Sequence, residues 1–171
     1  PVSLVLYPTE GVPATANRPY PPPSSPQSVA AGDTFVVVAK IFDHQGVWLS
    51  QYEQPSVDII WGIEEVAGND LGDSLSDTAG HRTSFIPTEA RRTVHIMAEF
   101  AEGLVALRDT VGVTVAPGPP NHLVLEPNQN WWSSPEDDNP IDTVTMTDIE
   151  THRPVYAIVR DRFGNFVAYS T

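Results

Sequence analysis

The chain has 171 residues and no cysteine, and its 22 acidic and 9 basic side chains give a net charge of −13. Without cysteine it has no disulfide, no zinc–thiolate site and no cysteine nucleophile. A negative surface repels phosphate backbones and anionic lipid, so nucleic acid and membrane surfaces are poor partners. No apolar run is long enough to insert into a membrane. The chain begins at Pro1 without Met or a signal peptide, which indicates a mature or excised segment of a longer protein.

The first predicted strand is Leu4–Pro8, LVLYP, and a long proline-rich segment follows it. Within that segment, residues 17–26 read NRPYPPPSSP, which is typical of an extended polyproline II conformation. We expect a stiff strap that lies on the protein surface with Tyr20 packed beneath it. A ligand for a proline-reading domain and an arm that reaches a neighbouring chain are the alternatives, and they make Tyr20 a candidate interface residue.

Residues 35–50, FVVVAKIFDHQGVWLS, combine a strand with a turn. Apolar residues alternate at Val37, Ala39 and Ile41, and this period of two predicts a half-buried strand with these side chains in the core. Asp43 and Gly46 then predict a tight turn, because Asp accepts hydrogen bonds from nearby backbone N–H groups and Gly adopts the positive φ that ends it. A calcium-ligand role for the Asp is the alternative interpretation.

Three further segments alternate in the same way. The next segment, VDIIWGI, contains Trp61, which we expect to anchor the core and not to bind a sugar, since its strand neighbours are Ile. The predicted inward residues of the three segments are Ile59, Trp61, Ile63, Val94, Ile96, Ala98, Phe100, Val111, Val113 and Val115. Short strands between Gly, Pro, Asp and Asn, without a sustained helical period, predict an all-β, antiparallel sandwich.

The end of the chain repeats its beginning. Residues 123–127 read LVLEP, and residues 159–170 read VRDRFGNFVAYS. Asp161 and Gly164 stand 118 residues after the Asp and the Gly of the first turn (161 − 43 and 164 − 46). This period matches the size of one β-sandwich domain, so the same unit is predicted to occur twice.

The repeat divides the chain into a complete sandwich over residues 1–118 and the first strands of a second sandwich over residues 119–171. Residues 116–122, APGPPNH, form a short proline-rich linker that should hold the two at a restricted angle. A sandwich with only its first strands exposes its core and a sheet edge. Three explanations are open: the segment was cut from a longer chain, the remainder is unseen, or another chain supplies the missing strands by β-augmentation.

Several segments resemble a known family. They are residues 35–50, residues 57–63, residues 79–100 (AGHRTSFIPTEARRTVHIMAEF) and residues 109–127 (DTVGVTVAPGPPNHLVLEP). Together they resemble the bacterial immunoglobulin-like domains found in tandem in surface and secreted proteins of the invasin and intimin type. The resemblance implies an immunoglobulin-like antiparallel β-sandwich and an extracellular or cell-surface location. The long inter-strand segments at residues 9–33 and 128–153 depart from the family, whose compact members have only a few residues there.

Two adjacent tryptophans are the clearest candidates for ligand contact. Trp131 and Trp132 lie in residues 130–142, NWWSSPEDDNPID, a polar and acidic loop. Such a pair can stack on a sugar ring or insert into a partner, because aromatic side chains dominate interfaces. Aromatic residues also cover the open ends of sandwiches, and this is the interpretation that we favour here.

The acidic side chains of the same loop, Asp137, Asp138 and Asp142, are candidate Ca²⁺ ligands, as is the acidic run of residues 68–77. Neither run has the regular spacing of a calcium loop, so a solvated acidic loop is the simpler interpretation, and we expect no resident cofactor. The histidines are scattered, and the sequence has no nucleophile-elbow serine and no phosphate-binding glycine loop. We therefore do not expect an enzyme.

The sequence thus predicts a non-catalytic structural repeat of a bacterial extracellular protein, a spacer or adhesive segment of a surface stalk or filament, with strand sharing as one route of assembly. Its expected partners are neighbouring immunoglobulin-like domains or copies of itself. The alternative is a carbohydrate-binding accessory module of a secreted glycan-acting protein, with Trp131 and Trp132 as the sugar platform. A surface glycan or a host cell-surface protein is then the partner. A calcium-stiffened adhesin rod is a third interpretation.

Overall fold

The computed structural model describes residues 3–7, 27–52, 58–64, 73–90, 92–126 and 154–169. Within these ranges the chain is almost entirely β, with one 3-10 turn at Ser50–Tyr52. The strands are β1 Ser3–Tyr7, β2 Gln27–Ala30, β3 Phe35–Phe42, β4 Ile59–Glu64, β5 Ser74–Leu75, β6 Arg82–Ile86, β7 Thr93–Glu102, β8 Val105–Ala116, β9 His122–Glu126, β10 Tyr156–Arg160 and β11 Phe166–Tyr169. No helix in the described ranges has both the length and the hydropathy that a bilayer-spanning segment needs.

The strands form three sheets, with the orders β1-β3-β6-β5, β2-β8-β7-β4 and β11-β10-β9. We call the two four-stranded sheets together the first sandwich and β11-β10-β9 the third sheet. Strand β2 pairs with β8 in parallel, whereas the other pairs are antiparallel. One parallel pair thus occurs in a sandwich whose other strand pairs are antiparallel, as the sequence predicts. Parallel neighbours need a long connection, and the chain through β3 to β7 provides it.

One apolar core lies between the two sheets of the first sandwich. From one sheet, Val37, Ala39 and Ile41 point inward and are buried, as the alternation of the sequence predicts. The inward residues that were predicted for the opposite sheet belong to the same core: Ile59, Trp61, Val94, Ile96, Ala98, Phe100, Val111, Val113 and Val115 are buried, and Ile63 is partly buried. The described chain therefore has the predicted all-β sandwich fold.

The second face of β3 is also buried, which corrects the prediction of a half-buried strand. Lys40 and Phe42, on the face opposite to Ala39, are both buried. The Lys40 ammonium lies 4.0 Å from the centroid of the Trp48 ring, and this cation–π contact offsets part of the lost hydration. A lysine has a long apolar stem, so its charge in a sequence does not by itself mark a solvent-facing position.

The third sheet repeats the β1–β3 pair in the same register. Leu4 of β1 pairs with Ile41 of β3, and Leu123 of β9 pairs with Val159 of β10, which are the residues that the sequence repeat aligns with them. One pair determines the register of an antiparallel ladder, so β9 and β10 match β1 and β3 along their length. The pairs β1–β3 and β9–β10 thus share one register.

The two copies differ in which side chains are covered. Leu123 and Leu125 of the third sheet are 57% and 48% exposed, whereas their counterparts Leu4 and Leu6 are 6% and 1% exposed. In the first sandwich this face is covered by the sheet that contains β8. The third sheet keeps the apolar residues of that face without the same cover.

On its opposite face the third sheet has a buried ion pair. The Arg160 Nε–H donates to Glu126 Oε1 at 3.0 Å, and a second guanidinium N–H donates to the Gly164 carbonyl oxygen at 2.5 Å. The counterparts in the first copy are Tyr7 and Phe42, which are also buried. The second copy therefore buries a charged pair at the end of β10, where the first copy buries two aromatic side chains.

Trp61 should be the most costly residue of the core to truncate. It is buried, and its indole Nε1–H donates to the Gly80 carbonyl oxygen at 2.7 Å. Trp61→Ala should lower the free energy of unfolding by about 3–5 kcal/mol, because it removes a large apolar contact and leaves a cavity. Urea denaturation followed by circular dichroism measures this change. The control is Leu104→Ala at the fully exposed tip of the β7–β8 hairpin, which should change it by no more than about 0.5 kcal/mol. Equal midpoints for the two variants would contradict the assignment.

Candidate functional site: the joint between the first sandwich and the third sheet

The two Asp-x-x-Gly segments form turns with the same backbone. We call residues 43–47 the first turn and residues 161–165 the second turn. In each turn, Asp Oδ1 accepts the N–H groups of the residues two and four positions later, at 2.8 and 2.9 Å in the first turn and at 2.9 Å for both bonds in the second. Gly46 and Gly164 have φ angles of 75° and 86°, in the left-handed region that favours glycine. Oδ1 of each Asp is thus occupied by N–H donors from its own turn.

The two turns lie in different surroundings. In the first turn Val47 is 42% exposed, whereas Asp161 of the second turn is 0% exposed. The second turn lies against the end of the first sandwich, where β2 and β8 end and the segment between β6 and β7 crosses. The residues of this end that meet the second turn, which we call the socket, are Ala31, Gly32, Thr88, Ala90 and Gly118.

The carboxylate of Asp161 links the turn to the socket. Its Oδ2 accepts the Gly118 N–H at 2.8 Å and an Asn165 side-chain N–H at 2.9 Å. Together with the two bonds at Oδ1, four N–H groups donate to this buried carboxylate. Burying a charged carboxylate without such donors is very unfavourable, so the Gly118 N–H is part of what allows Asp161 to be buried.

Asn165 makes the second polar contact across the joint. Its Oδ1 accepts the Ala90 N–H at 2.9 Å, and its Nδ2 donates to the Thr88 carbonyl oxygen at 2.8 Å. A carboxamide has one acceptor side and one donor side, so it pairs with a backbone segment much as a neighbouring strand does. Asn165 is itself buried. It therefore joins the second turn to the backbone of residues 88–90.

Phe163 is the apolar part of the joint. Its ring is partly buried and packs against the core of the first sandwich. Gly32 lies beneath the ring, and a Cβ at that position would stand 2.7 Å from Phe163 Cε2. The guanidinium of Arg162 lies over the same ring, with its central carbon 4.5 Å from the centroid. It also approaches Gly32, where the Cβ would stand 2.4 Å from its terminal nitrogen, so both side chains use the space that Gly32 leaves.

The linker is held at both ends. At its beginning, a Cβ on Gly118 would stand 2.8 Å from the Ala31 carbonyl oxygen and 3.1 Å from Asp161 Oδ2, so no larger residue fits without a shift. At its end, the Asn121 N–H donates to the Arg160 carbonyl oxygen at 2.8 Å. Only Pro119 and Pro120 stand between these two fixed points. The linker has little freedom left once the second turn is in the socket.

The socket is held in place from within the first sandwich. Asp73 Oδ1 accepts the Thr88 N–H at 2.9 Å, and Asp73 Oδ2 forms an ion pair with Arg92. The Gly32 N–H donates to the Pro87 carbonyl oxygen at 2.7 Å. These bonds orient the backbone of residues 87–90 before the second turn docks, so little ordering remains to be done on docking. Asp73, a member of one acidic run, here binds an arginine and a backbone amide.

The arrangement is suited to holding two bodies together. The Asp161 carboxylate faces N–H donors on both oxygens, and Asn165 uses both ends of its amide. In the part of the chain that the structure describes, no group of three or more His, Asp or Glu side chains is placed to hold a metal ion. The geometry at the joint therefore supports adhesion between folded parts.

The residues singled out in the sequence fall into three groups. Asp43, Gly46, Asp161 and Gly164 form the two turns, and Trp61 is in the core. The remaining candidates lie outside the described residues: Tyr20, Trp131, Trp132, Asp137, Asp138 and Asp142. The candidate calcium and sugar sites therefore stay predictions.

Sequence reasoning missed the side chains that make the joint. Phe163 and Asn165 carry most of its contacts, and Gly32 and Gly118 give them room. The available signal was a difference between the copies. Phe163 and Asn165 stand where the first copy has Gln and Val, although the Asp and Gly around them are unchanged.

No protein-family model matches the chain, and no match was found among curated proteins or solved structures. The resemblance to bacterial immunoglobulin-like domains therefore stays a prediction from the sequence. Function has to be argued from the joint and the fold.

The exposed first turn should show its hydrogen bonds in the titration of Asp43. The Val47 N–H stabilises the ionised carboxylate and lowers the pKa of Asp43 from its ordinary value of 3.8. Partial desolvation opposes this shift, and the Gln45 N–H adds to it. Because the folded pKa lies below the unfolded one, the stabilisation is present above 3.8 and is lost as the pH falls through the folded pKa. The ¹³C chemical shift of the Asp43 carboxyl carbon, followed against pH, measures the midpoint, and the urea-unfolded chain is the control. A midpoint in the folded chain at or above the unfolded one would contradict the geometry.

Proposed function

We propose that the chain is a non-catalytic structural segment of a bacterial extracellular surface protein, in which immunoglobulin-like repeats follow one another as the spacer of a stalk or filament. The observation that carries the proposal is the joint. Three short side-chain hydrogen bonds hold the second turn in the socket, between Asp161 and Gly118, between Asn165 and Ala90, and between Asn165 and Thr88. A longer one, at 3.4 Å, joins Arg162 to the Gly32 carbonyl oxygen. A spacer keeps its ends apart only if its joints resist bending, so the joint is the part on which this function depends.

The size of these interactions indicates a docked joint. A net contribution of about 1 kcal/mol for each neutral bond, and of about 1.5–3 kcal/mol for the bond to the Asp161 carboxylate, gives roughly 3–5 kcal/mol in favour of docking. Each 1.4 kcal/mol is a factor of ten, so the docked form exceeds the undocked form by a factor of about a hundred or more. The opposing entropy is small, because Pro119 and Pro120 already restrict the undocked linker.

Other features agree with this proposal. The high negative charge favours solubility and repulsion between neighbouring stalks, and a chain without cysteine is indifferent to the oxidising conditions outside a cell. The repeated register of β1–β3 and β9–β10 supports neighbouring repeats of the same kind as the partners. No contact among the described residues favours the carbohydrate-binding alternative, whose residues Trp131 and Trp132 lie outside them.

The rigidity of the joint is tested by adding one methyl group to it. In Gly118→Ala the new Cβ would stand 2.8 Å from the Ala31 carbonyl oxygen of the first sandwich and 3.1 Å from Asp161 Oδ2 of the second turn. The backbone must shift at Gly118, whose N–H donates to that same Oδ2, and this shift loosens the second turn in the socket. The Ala90 N–H, which donates to Asn165, should then exchange with solvent about tenfold faster or more, as measured by hydrogen exchange and NMR. Small-angle X-ray scattering should show a wider distribution of shapes for the variant than for the parent chain.

Gly112→Ala is the matched control. It makes the same substitution within β8, the strand that precedes the linker, but its Cβ would stand no closer than 3.5 Å to any neighbour, which is ordinary contact. It should leave the exchange of the Ala90 N–H unchanged. If this N–H exchanges in the parent chain as fast as in an unfolded peptide, the joint is not docked in solution and the spacer proposal loses its support.

A further inference from the structure

The two turns are nearly the same in backbone and differ in the side chains that they present. In both, the Asp N–H donates to the carbonyl oxygen of the fifth residue at 3.0 Å, and the Gly N–H donates to the Asp carbonyl oxygen at 3.1 Å. The third and fifth residues are Gln45 and Val47 in the first turn, and Phe163 and Asn165 in the second. The backbone of the turn therefore does not distinguish one copy from the other. The second residues, His44 and Arg162, differ as well, and Arg162 donates to the Gly32 carbonyl oxygen at 3.4 Å. The shorter hydrogen bond and the apolar contact with the socket come from the third and fifth positions.

The third position meets an apolar surface. The Phe163 ring packs against the core of the first sandwich above Gly32, where the absence of a side chain makes room for it. A glutamine there would bring a carboxamide into a place that offers it apolar atoms, and a buried polar group without hydrogen bonds is costly. In the first turn Gln45 is exposed and avoids that cost.

The fifth position meets two backbone groups. Ala90 offers an N–H and Thr88 offers a carbonyl oxygen, and Asn165 pairs with both while it also donates to Asp161 Oδ2. A valine at this place has no polar atom, so it would leave the Ala90 N–H without this partner and remove a donor from the buried carboxylate. Valine is also branched at Cβ and cannot copy the planar shape of the amide.

We propose that the socket is a recognition site for a turn of the form Asp-x-Phe-Gly-Asn on the first hairpin of the repeat that follows it. The inference rests on the proposed function, because it assumes that the docked joint exists in solution. Asp and Gly form the turn, and Phe and Asn are the side chains that the socket recognises. A turn with Gln and Val at those positions, such as residues 43–47, has the same backbone conformation but does not bind to the socket. The side chains at these two positions of each turn then determine which repeat can follow which along the chain.

Exchanging the side chains of the two turns tests this inference. The variant Phe163→Gln/Asn165→Val gives the second turn the residues of the first, and the variant Gln45→Phe/Val47→Asn makes the reverse change at the exposed turn. We expect the N–H groups of Ala90 and Gly118 to exchange about tenfold faster or more in the first variant, and to change by less than about twofold in the second. Both N–H groups donate to the second turn in the parent chain, so they report on docking directly.

Two further N–H groups separate recognition from folding. The Val115 N–H donates to the Arg92 carbonyl oxygen inside the first sandwich, and the Gly164 N–H donates to the Asp161 carbonyl oxygen inside the second turn. Both should stay protected in both variants.

If the N–H groups of Ala90 and Gly118 keep the protection of the parent chain in Phe163→Gln/Asn165→Val, the socket does not recognise these side chains and the inference is wrong, although the joint remains rigid. If the Gly164 N–H loses protection as well, the side chains build the turn and do not identify it, which also overturns the inference. Absence of protection in the parent chain refutes the docked joint itself.

Discussion

The joint depends on the burial of one charged group, the carboxylate of Asp161. A carboxylate out of contact with water needs N–H donors in place of the water it has lost. Two of them come from its own turn and a third from Asn165, but the fourth is the Gly118 N–H of the linker. The exposed first turn shows that the local bonds alone are enough to close such a turn. Burial of Asp161 adds the requirement that the linker be in place, so the turn can close by itself but its carboxylate is buried only in the docked joint.

The stiffness of the joint follows from where its hydrogen bonds end. On the side of the first sandwich they end on backbone groups of residues 88, 90 and 118, which the neighbouring strands and the Asp73–Arg92 pair already position. If the contacts joined pairs of long side chains, rotamer changes would let the first sandwich and the third sheet move relative to each other without breaking the contacts. Contacts to backbone allow less movement, because these loop residues lie close to strand ends and are held by their own hydrogen bonds. The close approach at Gly32 and Gly118 removes the remaining freedom by sterics.

Much of the fold was predictable, because strand faces repeat every two residues and the copies could be compared. The inward faces around Ile96 and Val113, and the correspondence between β3 and β10, were read from that pattern. The pattern misled at Lys40, where a charge was taken to mark solvent although the side chain is buried beside Trp48. The joint was not predictable. Its partners are loops separated by tens of residues that meet only in the folded chain, and no periodicity connects Asn165 to Thr88 or Phe163 to Gly32.

The substitutions that separate the copies lie around the second turn. Where the first copy buries Tyr7 and Phe42, the second buries Glu126 and Arg160. A buried ion pair is seldom more stabilising than apolar side chains of similar volume, so stability does not account for the change. Orientation does, because the planar guanidinium binds the carboxylate and the Gly164 carbonyl oxygen at once and so holds the end of β10 at a defined angle to the turn. The apolar residues of β9 and β10 determine the register of the strand pair, and Glu126 and Arg160 determine the orientation of the second turn relative to the socket.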